Sequence, residues 1–127
     1  DLEIINCGGA NIIKFSDTFL VQGVPTLTLI SDTITGGIFS RRRREVFRVG
    51  PYVYAGYKYN LRLSAAPALE TSVIAVAGDT PITIAQKLVN AIRAKGYGTT
   101  IYTLLSSGTD IITEIRYPYR FDPEVVY

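Results

Sequence analysis

The segment Ala77-Gly78-Asp79-Thr80-Pro81, with the run that follows it to Gly96, constrains the fold more than any other stretch. Thr80 or Asp79 serves as an N-cap, since a short side-chain oxygen accepts from the free N–H groups of a first helical turn. Pro81 suits the first helical position, where its missing N–H costs nothing. Ile84, Ala85, Leu88, Ala91 and Ile92 recur at three- and four-residue spacing and make one apolar stripe, with Gln86, Lys87, Asn90 and Arg93 opposite. Arg93 and Lys95 stand where the helix dipole favours cations, and Gly96 can adopt the left-handed conformation that ends a helix. The spacing predicts a single amphipathic helix over about residues 80–95.

Strand-like runs flank it on both sides. Residues 57–64 alternate cleanly: Tyr57, Tyr59, Leu61 and Leu63 point one way and the polar set the other. Residues 70–77 pair back across an Ala65-Ala66-Pro67-Ala68 turn. After the helix, residues 99–105 and 110–117 are joined by Ser106-Ser107-Gly108-Thr109, a connection of hairpin length. In the last strand Ile111, Thr113, Ile115 and Tyr117 oppose Ile112, Glu114 and Arg116.

The Gly78-Asp79-Thr80 opening, continued by Ala85, Leu88, Ala91 and Ile92 and followed by a hairpin, resembles a module of tailed-bacteriophage virion proteins. In that family an "aGdt" turn after a hairpin opens an "iA..L..AI" helix in tail tube, sheath, neck and fibre-associated subunits. The likeness covers roughly residues 50–117; the first fifty residues carry none. The fold expected is α+β and β-rich: an antiparallel sheet or sandwich with a ββαββ core, the helix stripe covering the sheet formed by its flanking strands. A single domain over 1–127 is expected, with N-terminal strands and a basic loop in 1–50, the ββαββ unit in 51–117 and a tail in 118–127.

A chain of 127 residues can build a core without disulfides or metals. Its 47% apolar and 19% charged content is that of a globular domain. No apolar run approaches a membrane span. The chain has no Met, which leads to the expectation that it is processed or part of a longer product. It has no His and one Cys, so zinc, haem and Ser-His chemistry lose their usual ligands and bases. Cys7, beside Gly8 and Gly9, has no basic neighbour to activate it and reads as a small apolar filler. The carboxylates form no pair on a common face, and Gly78-Asp79-Thr80 lacks the lysine and spacing of a phosphate loop. No catalytic, metal or cofactor residue is expected.

Residues 1–6, 11–15 and 19–21 read as short strands, and residues 24–30 as a half-exposed strand in which Leu27 and Leu29 alternate with Thr26 and Thr28. Residues 31–44 then read as a long loop or extended hairpin tip ending in Arg41, Arg42, Arg43 and Arg44. Such a run is a solvated charge cluster or a contact for acidic groups on a partner subunit, which suit the planar guanidinium fork. Nucleic acid ranks behind both, because the net charge is only +2. Tyr52, Tyr54, Tyr57 and Tyr59 are read as packing at a core edge or interface, with a sugar-stacking platform as the alternative. Pro118 and Pro123 argue against regular structure in the tail, whose Tyr119, Phe121, Val125, Val126 and Tyr127 are expected to lie at least partly on an adjacent subunit.

The functional expectation is a non-enzymatic virion subunit of the tail or neck, forming a ring or tube with its own copies and neighbouring virion proteins. The alternative is a fibre or adhesin module that meets a host glycan. Neither needs a cofactor or a membrane.

Overall fold

The computed structural model describes residues 6–7, 10–11, 23–64, 70–96 and 98–127. The expected strands over 1–6, 11–15 and 19–21 and the turn at 65–68 fall largely or wholly outside them, apart from a short antiparallel pair, β1 (Asn6–Cys7) and β2 (Ala10–Asn11). The remaining elements are β3 (Leu27–Thr35), β4 (Arg42–Val49), β5 (Lys58–Leu63), β6 (Thr71–Ile74), α1 (Pro81–Lys95), β7 (Ile101–Ser107), β8 (Asp110–Arg116) and β9 (Phe121–Val126). The fold is α+β: two antiparallel sheets, ordered β3-β4-β8-β7 and β6-β5-β9, share one core with the helix.

Alternation decides which face of each strand goes inward. Tyr59, Leu61 and Leu63 of β5 are buried while Arg62 is exposed, and in β8 Ile111, Thr113 and Ile115 are buried. From β4 come Glu45, Phe47 and Val49. The sheets approach at the β3 and β9 edges, and α1 fills the other side, against both β6 and β7.

The helix begins as its sequence requires. Thr80 caps it and exchanges reciprocal hydrogen bonds with Thr83, Pro81 opens the first turn, and Gly96 closes the last with φ 65°. Asp79 reinforces the start: its carboxylate accepts from Val76 N–H, Thr83 Oγ1 and Lys87 Nζ at 2.8–2.9 Å. Burial works to raise its pKa, but those three donors together hold the carboxyl below its usual range. Val89 is buried and Ala91 only half-buried, a wider buried arc than the expected stripe. The reason is that the strands flanking α1 do not form one sheet. β5 and β6 belong to one and β7 and β8 to the other, so the helix has two surfaces to cover.

Two further expectations are corrected. Residues 31–44 form the extended hairpin and not the long loop: Arg42, Arg43 and Arg44 are the first residues of β4, paired to Thr35, Ile34 and Thr33 on one side and to β8 on the other. The turn is short, with Ser40 N–H donating to Gly37 O at 3.2 Å and Gly36 at φ 93°. The tail is also regular. β9 pairs with β5 from Lys58↔Val126 to Leu63↔Phe121, with Pro123 inside it opposite Leu61. An edge strand tolerates proline because alternate backbone nitrogens point away from the ladder. Phe121 is 1% exposed and meets Phe47 edge-to-face with centroids 6.4 Å apart, so it belongs to this domain's own core and is closed to a neighbouring subunit.

Leu88 is fully buried and Gln86 exposed. Leu88→Ala should cost about 2–5 kcal/mol, and Gln86→Ala less than about 0.5 kcal/mol. Denaturant unfolding of the two variants checks this; equal losses would mean that α1 does not pack on the sheets.

Candidate functional site

The β3–β4 hairpin carries the most conspicuous unpaired chemistry. Ile38 and Phe39 at its turn are 81% and 101% exposed, and Ile30 and Ile34 of β3 are also exposed. Among the described residues β3 has a hydrogen-bonded neighbour on one side only, and a β-bulge between Leu29 and Ser31 interrupts its alternation. Leu27, ahead of the bulge, is buried, and Leu29, at its edge, is exposed.

Strand geometry divides the arginines between two faces. Arg43 Nη1 donates to Asp32 at 2.7 Å, and its guanidinium lies 5.6 Å from the Tyr117 ring. Its Nε is buried without a partner. Arg42 sits 4.0 Å over the Tyr102 ring and 3.5 Å from Glu114. Arg41 has only the Tyr117 ring, at 5.5 Å, and Arg44 is exposed with no partner among the described residues. Two of the four arginines therefore have no carboxylate among the described residues.

The aromatic tail does not join them. Tyr119 and Val125 are half-buried against the core and Phe121 lies within it, leaving Val126 and Tyr127 exposed. Tyr127 packs on Tyr57 at 5.0 Å, and Tyr57 on Tyr54 at 6.2 Å. Tyr59 is wholly in the core, so the tyrosines of residues 52–59 do not form one flat platform.

Two features were not anticipated from the sequence. The first is Glu45, which is 1% exposed and reaches from β4 to β9, where its Oε1 accepts from Phe121 N–H at 3.0 Å. Burial is the largest influence and pushes its pKa up to about 7. The Phe121 N–H and Arg43 oppose the rise, while Asp32 and Asp122 add to it. The one sequence signal was its place in the inward set with Phe47 and Val49.

The second is a shallow pocket of about 230 Å³ on the outer face of the three-stranded sheet, lined by Asn60, Arg62, Glu70, Asp122, Pro123 and Glu124. Two of its acids are neutralised: Arg62 meets Glu70 at 3.0 Å and Arg120 meets Asp122 at 2.9 Å. Among the described residues Glu124 meets only the Asn60 amide, 3.1 Å away. Asn60 is 3% exposed and its Oδ1 has no partner. The pocket is made by pairing β5 with a strand some sixty residues away, so no local pattern could disclose it.

Among the described residues no group of three or more His, Cys, Asp or Glu is placed to hold a metal ion, and no helix is long and apolar enough to cross a membrane. No protein-family model, curated protein or solved structure matches this chain.

The Glu45 contact makes stability depend on pH. Between about pH 4.5 and 7 the folded chain keeps a proton on Glu45 that the unfolded chain has released. The resulting stabilisation is full below pH 4.5 and falls as pH rises through 7, by about 3 kcal/mol in all. Glu45→Gln keeps the acceptor for Phe121 N–H and removes the ionisation. Urea unfolding should find the variant gaining on the parent chain as pH is raised from about 4.5 to 8. An unchanged gap across that range would contradict the burial of an ionisable Glu45.

Proposed function

We propose that this chain is a non-enzymatic structural subunit of a bacteriophage virion, a tail or neck component assembling into a ring or tube with its own copies and neighbouring virion proteins. The observation that carries the assembly reading is the β3–β4 hairpin: a bare Ile38-Phe39 turn and, among the described residues, an open strand edge and two arginines without carboxylate partners. Exposed apolar residues and unpaired edges are hazards for a monomer and binding surfaces for a subunit. The virion assignment rests on the likeness of roughly residues 50–117 to the phage module, and with it goes a location in the particle, after assembly in the host cytoplasm. Specific nucleic-acid binding has less support, because Arg42 and Arg43 already have acidic neighbours. The glycan-binding alternative also has less, because Tyr54, Tyr57 and Tyr127 pack on one another.

Sedimentation and electron microscopy test this reading. The purified chain should form discrete rings or tubes as its concentration rises. Replacing Arg41 and Arg44 by serine should weaken assembly while changing folding stability by less than about 1 kcal/mol, as for exposed charges. A chain that stays monomeric at every concentration, or that instead binds DNA with a steep salt dependence, would overturn it.

A further inference from the structure

The outer face of the β6-β5-β9 sheet has an order that the hairpin turn matches. Side chains on this face alternate with the buried set, and the strand register lines them up in rows. Ile74 and Val126 flank Lys58 in one row, and Ser72 and Glu124 flank Asn60 in the next. Ile74 is 59% exposed and Val126 36% exposed, so the first row is an open apolar strip around the Lys58 stem. The second row holds the Glu124 carboxylate, which is exposed and meets no cation among the described residues. Successive rows on one face are about 7 Å apart.

The hairpin turn carries the complementary pair. Phe39 is fully exposed, and Arg41, two residues on, has no carboxylate among the described residues. Two residues span at most about 7 Å, the spacing of the two rows. A guanidinium has five N–H donors in a planar fork and can meet the exposed Glu124 carboxylate with two of them. Pairing an exposed carboxylate with a guanidinium and covering an exposed Phe both favour the contact. Neither residue touches this face in its own chain.

We propose that the outer face of the β6-β5-β9 sheet is the receptor for the β3–β4 hairpin turn of a second copy, with Phe39 on the Ile74–Val126 strip and Arg41 at Glu124. Turn and receptor are different surfaces of one chain, so the contact is head-to-tail. It propagates into a ring where the rotation closes and a filament where it does not. The inference rests on the assembly reading above and gives it an address.

The test is charge reversal in the full chain, read by sedimentation velocity over a concentration series. Arg41→Glu and Glu124→Arg should each weaken self-association at least about tenfold, because each sets like charges against one another. Phe39→Ser should weaken it through the apolar half of the contact. Mixing the two reversed chains should restore association, since each then offers a complement to the other. Circular dichroism melts matching the parent chain establish that the variants fold; all three positions are exposed, so none is needed for the core. If the parent chain associates and the single reversals associate equally well, assembly uses another surface and this inference fails while the subunit reading stands. If the reversals weaken association and mixing does not restore it, the Arg41–Glu124 pairing is wrong. If the parent chain never associates, both readings fail.

Discussion

Two sheets and one helix make a domain here because the sheets are joined where the helix cannot reach. On the side of the core away from α1, contact between β4 and β9 depends on Phe121. Its ring meets Phe47 edge-to-face, and its N–H donates to Glu45, which is itself buried. An N–H buried there without an acceptor would cost about as much as a lost hydrogen bond. The carboxylate solves that problem and creates another, since its charge is disfavoured by the same burial. The compromise is a Glu that ionises near pH 7. On the opposite side the Ile84, Leu88, Val89 and Ile92 arc of α1 closes the core between β6 and β7.

This arrangement separates what was legible in the sequence from what was not. The helix was legible because all its determinants are local: the Thr80 cap, Pro81, the stripe and Gly96. So were the alternations of β5 and β8, which report a buried face without saying what buries it. Sheet partnership was not legible, and the helix was therefore expected to lie on one sheet when it lies between two. The arginines looked like loop because Arg42 and Arg44 oppose no apolar residue in a simple alternation; their strand is imposed by pairing with β3 and β8 on either side. The tail looked irregular because Pro118 and Pro123 were read as stops, whereas an edge position admits Pro123.

The same separation applies to function. Gly78, Asp79 and Thr80, which carry the likeness to phage virion proteins, have complete local occupations: a positive φ of 92° at Gly78, three donors converging on Asp79, and the helix cap at Thr80. They build the helix start and leave no group free for chemistry. What the chain leaves free lies elsewhere, on the hairpin turn and on the outer face of the three-stranded sheet. Both are surfaces, and the groups left unsatisfied on them are of opposite character. A protein whose exterior holds matched deficits is suited to repeating contacts with itself, which is the physical content of the subunit reading.

Everything outside the core depends on β9 being a strand of this domain. If the C-terminal segment were instead an arm lent to a neighbour, the pocket at Asn60 would not exist and Glu45 would face no donor. Native-state hydrogen exchange at Phe121 N–H measures this directly. The account predicts exchange as slow as that of Leu61 N–H in the adjoining strand, governed by global unfolding. Exchange as fast as that of the exposed C-terminal Tyr127 would show that the segment opens independently, and would contradict the assignment of Phe121 to the core.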